Sequence, residues 1–137
     1  MRRKTRVVFV ENRPETLGYI LTAVEEDGFA IAVWRSTSEA LKGLESGPVP
    51  DVLVLDLAMR GRAEEAAGSD YGGLEVARHI REIRNLRTPI VYLTALPFSA
   101  AHAATRELEG VIGREPIIVM KPAMSTDVLQ AIRRALK

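Results

Sequence analysis

The sequence predicts a doubly wound α/β fold, in which helices cover both faces of an open parallel sheet. Short apolar runs recur along the chain, four of the five are continuous rather than alternating, and a stretch with helical periodicity follows each run. Continuous apolar runs are typical of strands that are buried on both faces of a parallel sheet. Strict alternation of strands and helices implies right-handed crossovers, which place helices on both sides of the sheet.

The predicted strands are apolar runs rich in β-branched residues. They are Arg6–Val10, Ala30–Trp34, Asp51–Asp56, Pro89–Thr94 and Pro116–Met120. The first predicted helix begins near Pro14 and ends before Gly28. A capping box at Ser36–Glu39 begins the second helix. The later apolar stripes are Val76, Ile80 and Ile83 in the third helix and Val128, Leu129, Ile132 and Leu136 in the fifth, while the fourth helix runs from about Ser99 to Leu108.

The composition bounds the class of protein. A length of 137 residues suits one domain, and a hydrophobic fraction of 47% is enough to build a core. The net charge of +1 and the aromatic fraction of 5% argue against direct binding of nucleic acid. No apolar run approaches the roughly 18 residues that span a bilayer, so we expect no membrane partner. The sequence has no cysteine, which excludes disulfides and thiolate sites and fits a cytoplasmic location.

Polar residues stand at the carboxyl ends of four predicted strands. Ligands of such sheets bind at this edge. Carboxylate and amide oxygens suit Mg²⁺, and an ammonium and a hydroxyl suit the oxygens of a phosphoryl group. A carboxylate can also attack phosphorus and form an acyl phosphate, which is the role we predict for Asp56. The set consists of Glu11 and Asn12 after the first strand, Asp56 at the third, Thr94 at the fourth and Lys121 after the fifth.

These residues, in this order, resemble the receiver domain of two-component response regulators. The resemblance runs from about residue 6 to residue 136 and rests on Glu11-Asn12, Asp56 in the run Val52–Met59, Gly73-Leu-Glu75, Thr94-Ala95 and Lys121-Pro122. It implies a flavodoxin-like receiver fold, a five-stranded parallel sheet of order 2-1-3-4-5 with five helices. We expect one receiver domain over residues 1–137, with a basic N-terminal tail at 1–5 and an extended loop at 57–72.

The resemblance also implies a role for each site residue. Asp56 is the expected phosphoacceptor, Thr94 the switch hydroxyl and Lys121 the ammonium that pairs with the phosphate. Pro122 is expected to follow a cis peptide bond. The expected ligands of Mg²⁺ or Mn²⁺ are Glu11, Asn12, Asp56 and the backbone carbonyl of Met59 or of nearby Ala58.

The sequence departs from the family pattern at four places. Asn12 stands where the family has a second acid, so one negative charge is missing and we expect weaker metal binding. Ile118 occupies the position of the usual Tyr or Phe, and Ala123 that of a common Phe. The loop after Asp56 is about nine residues longer than usual. We hypothesise that Arg62–Ala67 adds a helical turn there and that Glu64, Glu65 or Asp70 supplies the missing charge.

The leading hypothesis is a receiver that accepts a phosphoryl group on Asp56 from a sensor histidine kinase or a phosphotransfer protein. It would then act on a downstream protein target, either alone or as a fragment of a larger regulator, in an oligomeric state that the sequence does not specify. Such a protein catalyses only its own phosphorylation and dephosphorylation, so we do not predict an enzyme. We expect His79 and His102 to be solvated surface residues.

Two other hypotheses remain. The first is a pseudo-receiver, an interaction module with weak or absent phosphorylation, which Asn12 and Ile118 favour. The second is a small phosphatase or nucleotide-binding enzyme. It is disfavoured because Ala58 stands where a haloacid-dehalogenase-type hydrolase needs a second Asp. The residues after the first strand also form no glycine-rich turn.

Overall fold

A single parallel sheet of five strands organises the molecule. The computed structural model describes residues 3–59 and 72–137. The strands follow the order β2-β1-β3-β4-β5, which confirms the predicted fold class. They are β1 (Arg6–Val10), β2 (Ala30–Trp34), β3 (Val52–Asp56), β4 (Ile90–Thr94) and β5 (Ile117–Met120). Each predicted strand is present, and the three that were expected to begin at Asp51, Pro89 and Pro116 begin one residue later. At the two prolines the reason is that proline has no N–H to donate.

Helices alternate with the strands as the sequence predicts. The α-helices among the described residues are α1 (Gly18–Glu26), α2 (Thr37–Ser46), α3 (Gly72–Arg78), α4 (Phe98–Gly110) and α5 (Ser125–Ala135). A 3₁₀ turn at Pro14–Leu17 precedes α1, and a π-helical turn at His79–Ile83 follows α3. The predicted turn at 62–67 and the carboxylates Glu64, Glu65 and Asp70 lie outside the described residues. None of the helices described is long and apolar enough to cross a membrane.

The core has two halves, one on each face of the sheet. One half packs α2, α3 and α4 against residues such as Val8, Leu53 and Tyr92. The other packs α1 and α5 against their neighbours in the strands, such as Phe9 and Val91. The central strands β3 and β4 are buried along their whole length, whereas β2 and β5 form the partly exposed edges of the sheet.

The capping box at the start of α2 is present in a modified form. The side chain of Ser36 accepts a hydrogen bond from the Glu39 N–H at 3.0 Å, as predicted. The Glu39 carboxylate accepts from the Arg35 N–H at 2.9 Å, one residue before the cap. Both bonds satisfy backbone donors at the junction between β2 and the helix.

Three predictions about helix faces are wrong. Val76 and Ile80 are buried, but Ile83 is 68% exposed because the π-helical turn widens the helix and moves this residue out of the stripe. His79 is 8% exposed rather than solvated, since the same turn packs beside α2, where its Nε2 lies 3.8 Å from Glu45. Leu136 is 41% exposed because α5 ends at the preceding residue.

A close approach between α2 and β2 gives a test of the packing. A β-carbon at Gly43 would lie 2.4 Å from the ring of Trp34, so Gly43→Ala must displace that ring. We expect a loss of about 1–3 kcal/mol in the free energy of unfolding, measured by urea denaturation. Gly18→Ala is the matched control: no atom lies within 4 Å of the added carbon and its backbone is helical, so its stability should hold or rise. Equal losses in both variants would contradict the packing argument.

Candidate functional site

The carboxyl ends of three strands bring two carboxylates and an ammonium group into contact. The sheet register pairs Val10 with Leu55, so Glu11 and Asp56 follow at adjacent positions of neighbouring strands. The Lys121 Nζ donates to Glu11 Oε1 at 2.6 Å and to Asp56 Oδ2 at 3.4 Å. Three of the predicted site residues therefore meet at one point of this edge.

Glu11 is held where β1 ends. Its N–H donates to the Trp34 carbonyl at 3.0 Å, which continues the pairing of β1 with β2 by one residue. The side chain is buried, and its second oxygen accepts from the Arg13 N–H at 3.3 Å. Asn12 is exposed at the same edge. The two residues that follow β1 are thus one buried carboxylate, Glu11, and one exposed amide, Asn12.

Asp56 is fixed by the turn that follows β3. Its Oδ1 accepts from the Ala58 N–H at 3.1 Å, and its carbonyl accepts from the Met59 N–H at 3.2 Å. The start of α3 packs directly behind it, since a β-carbon at Gly73 would lie 2.2 Å from the Asp56 carbonyl oxygen. Only glycine permits this approach. The glycine of the Gly73-Leu-Glu75 motif therefore has a physical reason: it lets a helix contact the backbone of Asp56.

The charges at this edge shift the pKa of both central groups. Burial and the nearby Glu11 carboxylate raise the pKa of Asp56 to about 6, against the opposing effects of Lys121 and the Ala58 N–H. Burial tends to lower the pKa of Lys121, but its hydrogen bond to Glu11 and the charge of Asp56 outweigh this and raise it. An excess of negative charge is therefore built into the site even with the ammonium in place.

The residues at the edge fit a divalent cation. Two carboxylates at adjacent strand ends, followed in the chain by the Asn12 amide and the Ala58 carbonyl, offer the kind of oxygen ligands that Mg²⁺ prefers. Burial first, and then the Glu11 charge, raise the pKa of Asp56, and a bound cation would oppose both effects by favouring the ionised carboxylate. The Met59 side chain lies in the core and its carbonyl accepts from the Gly72 N–H. Of the two predicted backbone ligands, this favours the carbonyl of Ala58.

Thr94 lies at the same edge, but its hydroxyl contacts the backbone of the loop that follows β4. It is fully buried, and its hydroxyl oxygen accepts from the Leu96 N–H at 3.1 Å. Its carbonyl accepts from the Lys121 N–H at 2.8 Å, so the backbones of the two residues are joined. The peptide bond between Lys121 and Pro122 is cis, as predicted. In the described part of the chain, Asn12 and Thr94 make no side-chain hydrogen bond to Asp56 or Lys121.

A buried polar cluster behind this edge was missed by sequence reasoning. The Arg81 guanidinium donates to Glu109 at 2.9 Å, and the Tyr92 hydroxyl donates to the other oxygen of the same carboxylate at 2.7 Å. Arg81 also donates to the Leu86 carbonyl at 2.9 Å. Burial, together with the Glu109 charge, raises the pKa of Tyr92. Nothing in the periodicity marks Arg81 or Glu109 as buried, whereas Tyr92 lay in a predicted strand two residues before Thr94.

An apolar cavity opens beside Lys121. It has a volume of about 280 Å³ and lies between the start of α1 and the loops that follow β4 and β5. Leu17, Leu93 and Pro122 contribute to its walls. Tyr19 is 54% exposed and donates a hydrogen bond to the Ala123 carbonyl, and Met124 is 67% exposed beyond it. The carboxyl edge of the sheet, where Lys121 contacts the two carboxylates, therefore adjoins an apolar surface.

Fold and site together define a doubly wound α/β domain with a carboxylate–ammonium site at the carboxyl edge of its sheet. No protein-family model matches the chain. Many solved structures are similar to it over nearly its full length. The chain has the fold of response-regulator receiver domains.

Three of these structures illustrate the similarity. A CheY-like response regulator receiver domain protein from Methanospirillum hungatei JF-1 is 16% identical, with a TM-score of 0.76 over 98% of this chain and 94% of that one. A two-component response regulator from Clostridium difficile is 17% identical, with a TM-score of 0.74 over 97% and 96% of the two chains. The bacteriophytochrome response regulator AtBRR is 27% identical, with a TM-score of 0.70 over 96% and 92%.

The electrostatics of the site predict an unusual titration. In the absence of added metal, we expect the Asp56 carboxyl carbon to titrate near pH 6 by ¹³C NMR, because burial and Glu11 raise its pKa. Asp51 is an internal reference at the other end of β3, since its hydrogen bond to Arg3 lowers its pKa to about 2. Glu11→Gln should move the Asp56 midpoint down, and Lys121→Met should move it up. A midpoint near 4 for Asp56 in the unaltered chain would contradict this picture.

Proposed function

We propose that the chain is a receiver domain that accepts a phosphoryl group on Asp56 from a histidine kinase or phosphotransfer protein, in a Mg²⁺- or Mn²⁺-dependent reaction. The observation that carries the proposal is the contact of the Lys121 ammonium with both Glu11 and Asp56. The similarity to AtBRR, which is described as a response regulator, supports it.

The chemistry needs a free carboxylate oxygen on Asp56. That oxygen attacks phosphorus in line, an oxygen–phosphorus bond forms, and the bond from phosphorus to the donor's leaving group breaks. The Lys121 ammonium, already 3.4 Å from Asp56 Oδ2, can pair with an oxygen of the incoming group. A divalent cation held by Glu11, Asn12, Asp56 and the Ala58 carbonyl would offset the charge of the phosphoryl oxygens. The Thr94 hydroxyl oxygen accepts from the Leu96 N–H, and its own hydrogen remains to be donated to a phosphoryl oxygen.

The same surfaces indicate where a partner protein would contact the domain. A phosphoryl donor has to reach Asp56, and the apolar cavity beside Lys121 offers a contact surface next to that point. In this proposal the phosphorylated domain acts on a downstream protein target. It turns over no outside substrate, because the acyl phosphate forms and hydrolyses on its own side chain.

Intact-mass measurement after incubation with acetyl phosphate and Mg²⁺ tests the proposal. We expect the chain to gain one phosphoryl group and Asp56→Asn to gain none. The matched control is Asp127→Asn, an exposed carboxylate in the first turn of α5, which should be modified like the unaltered chain. If the unaltered chain gains no mass and beryllofluoride with Mg²⁺ leaves its NMR spectrum unchanged, the domain is an interaction module without phosphoryl chemistry.

The amide at position 12 predicts weak metal binding that one substitution can strengthen. Asn12→Asp restores a negative charge beside Glu11 and Asp56, so we expect the dissociation constant for Mg²⁺ to fall about tenfold by calorimetry. Asn85→Asp makes the same chemical change at an exposed turn outside the edge and should leave the affinity unaltered. An equal gain in both variants would show that only net charge matters and would remove Asn12 from the metal site.

A further inference from the structure

The π-helical turn after α3 combines several features that are energetically unfavourable. The Arg84 N–H donates to the His79 carbonyl at 2.9 Å, which is the five-residue spacing of a π-helix. Single π-helical turns are rare in proteins, and those that do occur are often found at functional sites. Val76, Ile80 and Ile83 have the spacing of one α-helical stripe, yet Ile83 is 68% exposed. The sequence therefore encodes an α-helical face that this turn does not use.

Unsatisfied polar atoms concentrate in the same turn. Within residues 3–59 and 72–137, the buried side-chain nitrogens that lack a hydrogen-bond partner are His79 Nε2 and Arg81 Nε. Leaving such an atom unpaired in the interior is unfavourable. One turn thus combines an exposed isoleucine with two buried nitrogens that make no hydrogen bond.

A buried ion pair holds the turn in this register. Arg81 is 1% exposed and pairs with Glu109 of α4, which also accepts from Tyr92. A buried ion pair gains little net stability because both charges lose their hydration, whereas removing one partner leaves the other uncompensated. Loss of the Glu109 carboxylate would therefore leave the Arg81 charge buried and uncompensated.

We propose that residues 79–83 form a two-register switch: a π-helical turn with Arg81 inside converts to an α-helical turn with Ile83 inside and Arg81 outside. The conversion takes one residue out of the widened turn. The connection Arg84–Pro89 can absorb it, since it is six residues long, is exposed at Arg84, Asn85 and Arg87, and already has Asn85 at φ 52°. The switch exchanges an exposed isoleucine for an exposed arginine, and so changes the surface that a partner would meet.

Two connections join this switch to the carboxyl edge of the sheet. Tyr92 lies two residues before Thr94, on the same face of β4, and donates to Glu109. At the other end, α3 begins with Gly73 against the Asp56 carbonyl and leads directly into the π-helical turn. In this proposal a change at Asp56 acts on the turn through α3, and a change at Thr94 acts on it through Tyr92. This coupling rests on the proposed phosphoryl chemistry, whereas the register change itself does not.

The register is tested in the unmodified protein by following the methyl groups of Ile83 and Ile80. A soluble paramagnetic agent broadens exposed methyl signals, and Ile80 is fully buried and serves as the internal reference. In the unaltered chain Ile83 should be broadened strongly and Ile80 weakly. In Glu109→Gln we expect the broadening of Ile83 to fall at least fivefold, towards that of Ile80. Glu107→Gln makes the same change at an exposed position of α4 and should leave Ile83 exposed.

A second variant guards against a simple loss of folding. Arg81→Met places an uncharged chain inside, so it should keep the π register and leave Ile83 broadened. If Glu109→Gln unfolds the region, Ile80 will be broadened as well, and Arg81→Met then decides. Persistent exposure of Ile83 in folded Glu109→Gln, or its burial in Arg81→Met, overturns the switch.

The coupling is tested by loading Asp56 with beryllofluoride and Mg²⁺. We expect the broadening of Ile83 to change at least twofold in the unaltered chain and not at all in Asp56→Asn or Arg81→Met. If Asp56 is loaded and Ile83 does not respond, the coupling is wrong. If Asp56 cannot be loaded, the proposed function fails, while the comparison of Glu109→Gln with Glu107→Gln still decides the register.

Discussion

The contact of one ammonium group with two carboxylates is the interaction on which the carboxyl edge of the sheet depends. Strand order makes β1 and β3 neighbours, so Glu11 and Asp56 emerge side by side whatever their charges. Two buried carboxylates at adjacent strand ends are energetically unfavourable unless a cation lies between them. Lys121 supplies that cation from β5, which is two strands away from β3. A phosphoryl group that binds Lys121 must weaken this contact, and a metal ion would then have to take over the charge compensation.

The two faces of β4 explain how one strand serves both the core and the site. Val91 and Leu93 pack in the cluster that α1 and α5 cover, while Tyr92 packs in the cluster under α2, α3 and α4. Thr94 continues the second face to the carboxyl edge. Thr94 and Tyr92 therefore share one face of β4, and the Tyr92 hydroxyl is bonded to Glu109 of α4.

The sequence was sufficient for the strands and for the residues at their ends, and insufficient for the helix registers. Buried parallel strands reveal themselves as continuous apolar runs, and the side chain after each run lies at the same edge. The third helix was misjudged because a stripe at α-helical spacing assumes 3.6 residues per turn throughout. One π-helical turn is enough to expose Ile83 and bury Arg81. The pairing of Arg81 with Glu109, 28 residues away, has no local signal in the sequence.

The missing aromatic side chain in β5 takes a different meaning once the register of the sheet is known. Ile118 stands at the position where the family resemblance leads us to expect Tyr or Phe. Its direct partner in the neighbouring strand β4 is Tyr92. An aromatic ring is therefore present on the same face, one strand further in, and its hydroxyl is tied to Glu109 rather than free at the surface. A ring that is buried and bonded cannot rotate outward without breaking the bond to that carboxylate. The bond to Glu109 therefore connects Tyr92 with α4 and, through Arg81, with the π-helical turn, rather than with the outer face of β5.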